Sequence, residues 1–241
     1  MADTGRHPLV SAVVFDMDGL LLDTERLARR ALQLAGEEIG LDLRDDLCAL
    51  MIGVPVDGCR RLLLSHFGAA APANALFAAS SRHLHALIDE GDLQLQPGAI
   101  ELLDLLDRMR LPHAVATSSS REKALHHLGR AGIAHRFDAV LTRDDVEHGK
   151  PFPDLFLRAA QLLRTAPARC LALEDSYNGV RAAWAADMPV IMVPDLLPAT
   201  DEMREKCQAV LPDLHAVARM LHPRDLIRLR NGLATAECRR D

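Results

Sequence analysis

Aromatic residues and paired cysteines are scarce in this sequence. Phe, Trp and Tyr make up 3% of the 241 residues, whereas hydrophobic residues together make up 49%, so the core must consist mainly of Leu, Ala, Val and Ile. The number of cysteines is odd and no two form a C-x-x-C pair, which excludes a typical zinc site or disulfide framework. Reduced thiols are typical of a cytoplasmic protein, and we predict that location.

The sequence also lacks the patterns of membrane and nucleotide-binding proteins. No apolar run approaches the ~20 residues of a membrane span, and residues 1–8 are polar, unlike a signal peptide. The formal net charge of −6 argues against nucleic acid as the main partner. Neither G-x-x-x-x-G-K-[ST] nor G-x-G-x-x-G is present, so a glycine-rich nucleotide loop is not expected.

One short segment, Val13–Gly19, stands out. Its first residues are apolar without alternation, which predicts a strand buried on both faces. Asp16 and Asp18 follow directly, at the end of the strand where parallel sheets bind their ligands. Two close carboxylates cost free energy unless a cation or a shared proton offsets their charge. Taken alone, the segment also fits a strand that ends in an ordinary turn.

Helical and strand patterns divide the chain. Residues 24–94 show only helical periodicity, whereas strands and helices alternate after Pro97-Gly98, which predicts a parallel sheet. We therefore predict an α/β fold, a Rossmann-like doubly wound parallel sheet core with an inserted all-α domain. The core would comprise residues 1–23 and 95–222, and 223–241 would form an Arg-containing surface helix or frayed tail.

Four predicted strands end in polar residues of complementary kinds, and parallel strands bring such ends to one rim. Carboxylate and carbonyl oxygens suit a hard cation such as Mg²⁺, while hydroxyls and a lysine suit a phosphate. The combination predicts phosphoryl chemistry. In chain order the strand ends carry Asp16 with Asp18, Thr117–Ser120, His148–Pro151 with Lys150, and Glu174 with Asp175.

Each of these features has an ordinary structural explanation when taken singly. The serine run fits a plain loop, Lys150 a solvated loop residue, and Glu174-Asp175 a helix cap. The histidines, including His126 and His127, are predicted to be surface or helix-face residues. The functional interpretation depends on all four features occurring in order, each after a predicted strand.

The chain resembles the haloacid dehalogenase superfamily, in particular its phosphatase and phosphomutase branch with an α-helical cap. The resemblance covers about residues 15–180, and its four motifs occur in the family's order. It implies that residues 24–94 form the cap. The matching segments are Phe15–Glu25, Ala116–Ser119, Gly149–Asp154 and Leu173–Val180.

The resemblance implies roles for the polar strand ends. Asp16 would be the nucleophile and Asp18 the general acid and base. Thr117 and Ser118, together with Lys150, would bind the substrate phosphate. We therefore predict a magnesium-dependent phosphatase, a phosphoric monoester hydrolase that forms an aspartyl-phosphate.

The same resemblance implies a metal site. Mg²⁺ would be held by Asp16, the carbonyl of Asp18 and Asp175, with Glu174 as a further ligand or as support for the others. The substrate would be a small phosphorylated metabolite, such as a sugar phosphate or a nucleoside monophosphate. A monomer without nucleic-acid or membrane partners is expected.

Two alternatives stay open. The family's β-phosphoglucomutases have a His near the position of Ala28 and a cap Arg after a Gly-Val pair, and both are missing here, which favours a phosphatase. A receiver-like signalling protein also uses strand-end acids, a hydroxyl and a lysine. The inserted helices and Asp18 argue against that interpretation.

Overall fold

The computed structural model describes residues 10–221, except 52, 53, 55 and 70. These residues divide into two compact units. One is formed by the chain up to Leu21 and again from Leu95, and the other is Leu22–Gln94. The predicted C-terminal tail at 223–241 lies outside the described residues.

The first unit, the core unit, is built on a parallel sheet with the strand order β3-β2-β1-β4-β5-β6. Every neighbouring pair of strands is parallel, which confirms the predicted α/β class. The strands are β1 (Ala12–Phe15), β2 (His113–Ala116), β3 (Ala139–Leu141), β4 (Cys170–Glu174), β5 (Val190–Met192) and β6 (Ala209–Val210).

Ten α-helices are described, four in the inserted unit and six in the core unit. Both α9 and the two-residue β6 escaped prediction because each is too short to show a period. The helices are α1 (Thr24–Ile39), α2 (Asp45–Met51), α3 (Val56–Phe67), α4 (Ala73–Glu90), α5 (Ala99–Met109), α6 (Arg121–Arg130), α7 (Asp154–Leu162), α8 (Tyr177–Ala185), α9 (Asp201–Lys206) and α10 (Leu214–Leu221). No helix in the described ranges has the length and apolar content needed to cross a bilayer.

Strand β1 is buried on both faces, as its continuous apolar pattern predicts. Val14 belongs to the apolar cluster that includes Phe156 of α7. On the opposite face the ring of Phe15 meets the rings of His113 and Phe137 edge to face, at centroid distances of 6.3 and 6.0 Å. Packing on both faces fixes the position of β1 and of the carboxylates that follow it.

The second unit, the helical unit, is the inserted all-α domain expected from the fold class. Its helices pack around a separate apolar cluster that includes Leu32, Leu63 and Leu76. Gly40 ends α1 in the left-handed conformation, with φ of 70°, which glycine adopts without steric cost. This cluster gives the helical unit a core of its own.

Candidate active site

The strand order brings distant polar residues to one rim. Strand β1 lies between β2 and β4, so Asp16, Thr117 and Glu174 sit at the carboxyl ends of neighbouring strands. The ladder continues beyond β1 and β2, because the Asp16 N–H donates to Leu173 O at 3.0 Å and the Thr117 N–H donates to Leu141 O at 2.9 Å. These backbone bonds hold the first residue after each strand in register with its neighbour.

A buried ion cluster occupies the centre of this rim. The Lys150 ammonium pairs with Asp16 Oδ1 and, at 2.5 Å, with Glu174 Oε1. Its side chain is 3% exposed, and Nζ lies 5.1 Å from the centroid of the Phe156 ring. Lys150 precedes a cis peptide bond to Pro151, in the loop between β3 and α7. The structure thus joins three of the four strand-end motifs through one cation.

Burial and the neighbouring charges act in opposite directions on the ionisable groups of this cluster. Burial raises the pKa of the Asp16 carboxyl to about 7; Glu174 and Asp18 also raise it, and Lys150 opposes the rise. Burial alone would lower the pKa of Lys150, but Asp16 and Glu174 raise it above its ordinary value. The lysine is therefore held as a cation between two carboxylates.

The grouping of acids beside Lys150 suits a divalent cation. Oxygen atoms of Asp16, Glu174 and Asp175 lie within 4.8 Å of one another. All-oxygen donors are the ligands that Mg²⁺ prefers. The residues present therefore suit the magnesium ion that the sequence predicts.

Two glycines make room for the acids. Gly19 has a φ of 86°, and a Cβ there would overlap the Asp175 carboxylate. A Cβ on Gly179 would overlap the carboxylate of Glu174. Both positions require glycine because a carboxylate packs directly against the backbone.

The start of α8 orients Glu174. Glu174 Oε2 accepts hydrogen bonds from the Ser176 hydroxyl at 3.0 Å and from the Ser176 N–H at 3.3 Å. The same serine caps α8, because its Oγ accepts the Gly179 N–H at 3.1 Å. With Lys150 on Oε1, both oxygens of this fully buried side chain are bonded. The cap of α8 is thus Ser176, and not Glu174 or Asp175 as the simple structural explanation predicts.

Two of the residues predicted to bind phosphate, Thr117 and Ser118, follow the end of β2. Thr117 is 1% exposed, and its Oγ1 accepts the Ser119 N–H at 3.1 Å, so its hydroxyl hydrogen can be donated to a ligand oxygen. Ser118 is exposed. Phosphate binding by these two residues and by Lys150 stays a prediction.

Asp18 faces different neighbours from Asp16. Its Oδ2 accepts the Ser119 hydroxyl at 2.6 Å. Its Oδ1 lies 3.6 Å from Lys123 Nζ and 3.8 Å from His127 Nδ1. Burial acts to raise the pKa of the Asp18 carboxyl, but His127, Lys123 and Ser119 together hold it below its ordinary value.

His127 is predicted to be a surface or helix-face residue, and the structure places it on a helix face but not at the surface. It is 0% exposed, because it lies on the side of α6 that faces the core beside Leu128. The sequence reasoning also gave no role to Lys123 and none to Ser119 beyond membership of the serine run. Their spacing was the missed signal, since Ser119, Lys123 and His127 recur every four residues, as on one face of a helix.

Comparison with known proteins shows the family. The family model described as haloacid dehalogenase-like hydrolase matches residues 10–187. The chain therefore belongs to the haloacid dehalogenase-like hydrolases. This confirms the resemblance predicted from the four motifs and the expectation of a hydrolytic enzyme.

Several relatives bear more specific names. The chain is 35% identical to the probable pseudouridine-5'-phosphatase of Drosophila melanogaster, over 77% of this chain and 82% of that protein. It is 31% identical to the phosphorylated carbohydrates phosphatase of Thermotoga maritima, over 73% of this chain and 82% of that protein. A crystal structure titled putative beta-phosphoglucomutase, from Thermotoga maritima, superimposes with a TM-score of 0.76 at 28% identity, over 88% of this chain and 98% of that one.

Proposed function

We propose that the protein is a Mg²⁺-dependent phosphatase that hydrolyses a small phosphorylated metabolite through an aspartyl-phosphate on Asp16. The observation that carries the proposal is the buried Asp16 carboxylate, paired with Lys150 and clustered with the oxygens of Glu174 and Asp175. A carboxylate is a weak nucleophile, and neutralising the phosphate oxygens is what allows it to attack phosphorus.

The reaction takes two in-line steps. In the first, an Asp16 oxygen bonds to phosphorus, the bond from phosphorus to the ester oxygen breaks, and Asp18 gives that oxygen a proton. In the second, water attacks phosphorus, Asp18 takes the water's proton, and the bond to Asp16 breaks. Inorganic phosphate and the free alcohol are the products, and Asp16 and Asp18 are restored.

The other polar residues supply charge and orientation. Lys150 and the Thr117 hydroxyl would hold the transferring oxygens, with Ser118 as a further donor. Asp16, Asp175, Glu174 and the Asp18 carbonyl would hold Mg²⁺, whose charge stabilises the phosphoryl oxygens. Lys150 also keeps Asp16 from carrying an uncompensated charge in the buried site.

The names of the relatives guide the choice of substrate. A pseudouridine-5'-phosphatase and a phosphorylated carbohydrates phosphatase both suggest a phosphate ester of a polyhydroxylated ring or chain. We propose a sugar phosphate or nucleoside monophosphate, with the Leu22–Gln94 unit acting as the cap that selects it. We also propose that the enzyme works as a cytoplasmic monomer.

A phosphomutase is the second candidate, because of the likeness to the structure titled putative beta-phosphoglucomutase. Ala28 of α1 stands where the mutase histidine is expected. The Gly-Val segment belongs to a stretch in which residues 53 and 55 lie outside the described residues. The sequence departure at Ala28 favours hydrolysis.

A substrate screen tests the proposal. Purified protein would be assayed for phosphate release from sugar phosphates, nucleoside monophosphates and bisphosphates, with Mg²⁺ and with a chelator. Glucose 1-phosphate would be followed in parallel for conversion to glucose 6-phosphate. We expect Mg²⁺-dependent phosphate release that Asp16→Asn abolishes. Interconversion of the two glucose phosphates without net release would overturn the phosphatase assignment, and activity of equal rate in the chelator would overturn the metal assignment.

A further inference from the structure

The strongest unexplained feature is a buried histidine beside the proposed acid and base. His127 is 0% exposed, and neither of its ring nitrogens has a hydrogen-bond partner among the described residues. Asp18 Oδ1 is likewise buried without a hydrogen bond to this part of the chain. A buried polar atom that loses water without gaining a partner costs free energy, so unpaired groups that face each other are expected to be used together.

These atoms do face each other. His127 Nδ1 lies 3.8 Å from Asp18 Oδ1, and Lys123 Nζ lies 3.6 Å from the same oxygen. Both separations exceed an ordinary N–H···O distance by less than about 1 Å. The other carboxylate oxygen is already fixed by the Ser119 hydroxyl at 2.6 Å.

The three donors come from one short segment. Ser119 precedes the helix cap Ser120, whose Oγ accepts the Lys123 N–H at 3.3 Å, and α6 then carries Lys123 and His127 one turn apart. Residues four apart share a helix face, so α6 presents Lys123 and His127 to the same carboxylate that Ser119, just before the helix, contacts. We name Ser119, Lys123 and His127 the α6 clamp.

We propose that the α6 clamp positions the Asp18 carboxyl for proton transfer, with His127 as its principal residue. His127 would donate its Nδ1 hydrogen to Oδ1 and would act through Asp18 without touching the substrate. Its burial locks the ring in place, whereas the Lys123 side chain is 38% exposed and its contribution is weakened by solvent. This inference rests on the proposed function, because it gives Asp18 the role of acid and base.

Leaving-group chemistry separates positioning from simple packing. A p-nitrophenolate ion is stable and leaves without a proton, whereas phenolate benefits more from protonation as it leaves. Phenyl phosphate and p-nitrophenyl phosphate differ little in shape, and kcat/KM reports only the steps up to departure of the phenol. The ratio of the two kcat/KM values therefore measures how well Asp18 delivers its proton.

The main variants are His127→Leu, which keeps bulk without a donor, and His127→Asn, whose amide nitrogen can replace Nδ1. We expect His127→Leu to lower kcat/KM for phenyl phosphate by about 10- to 100-fold, as a misplaced catalytic group would. The loss for p-nitrophenyl phosphate should stay under about threefold, and His127→Asn should restore part of the difference. Leu128→Ala, a neighbouring core truncation, should lower the melting temperature without changing the substrate ratio.

A double-mutant cycle makes the inference falsifiable even if some variants are unstable. In an Asp18→Asn background, His127→Leu should have no further effect on phenyl phosphate, because its partner's function is already lost. An equal loss of kcat/KM with both substrates, or an additive loss in the Asp18→Asn background, would contradict the proposed role of the α6 clamp. If Asp18→Asn were as active as the parent protein, the proposed function would be at fault. If the Asp18→Asn variant were slow but the His127→Leu variant kept the parent's kcat/KM for phenyl phosphate, only the role of the α6 clamp would be refuted.

Discussion

The two carboxylates that follow β1 lie in opposite electrostatic surroundings. Asp16 lies among acids, with Lys150 as its counter-charge, and burial is the main reason why its pKa is raised to about 7. Asp18, two residues later, is surrounded by the hydroxyl and basic groups of the α6 clamp, and its pKa is lowered. One residue type thus acquires two chemical characters within three positions of the chain.

The two carboxylates therefore have different kinds of partner. The acid-rich side suits a cation next to Asp16, the proposed nucleophile, whereas the α6 side surrounds Asp18 with hydrogen-bond donors. The following experiments test this contrast, beginning with the largest expected effect.

Removal of the proposed nucleophile should have the largest effect. Asp16→Asn keeps the shape of the side chain but replaces its attacking oxygen with an amide, so we expect kcat to fall by at least about 10⁴-fold. The assay is steady-state phosphate release from the best substrate of the screen. Retention of more than a hundredth of the parent activity would show that Asp16 is not the nucleophile.

The two lysines should differ in importance. Lys150→Met removes a 3% exposed cation that pairs two acids, and we expect kcat to fall by about 10³-fold, as for loss of a buried electrostatic donor. Lys123→Met removes a partly exposed cation and should lower kcat by less than about tenfold. Equal losses of kcat in the two variants would contradict the proposed difference between the acid-rich side and the α6 side of the rim.

Metal binding should stabilise the acid-rich side without any substrate. Mg²⁺ at about 100 times its Kd should add about 2.7 kcal/mol to the free energy of unfolding. Thermal unfolding followed by circular dichroism, with Mg²⁺ and with a chelator, measures this increase. Asp175→Asn should remove most of it, and Asp213→Asn, which changes an acid outside the cluster, should retain it. An equal response in both variants would contradict the assigned ligands.

The smallest effect concerns packing around Glu174. Gly179→Ala places a methyl group onto the Glu174 carboxylate, and overpacking typically costs about 1–3 kcal/mol of stability. Gly129→Ala is the matched control, because its Cβ would meet nothing within 4 Å. Urea unfolding measures the free energy of unfolding of both variants. A Gly179→Ala variant as stable as the control would show that Glu174 is not held against α8.

Much of the fold could be predicted from local patterns. The apolar run before Asp16, the helical spacing of α1 and the β–α alternation after Gly98 each encode burial on a particular face. Short elements such as α9 and β6 could not be found in this way, because each contains fewer than two repeats of its own period.

The site likewise has features that local sequence motifs reveal and features that only the fold brings together. The sequence by itself determined the kinds of residue at the strand ends, because motifs such as Asp16-Met17-Asp18 and Glu174-Asp175 are local. Only the tertiary structure decided that β1 lies between β2 and β4, and so that Lys150 reaches Asp16 and Glu174. It also decided that His127 is buried beside Asp18, since burial depends on what packs against a helix as well as on the residues along it.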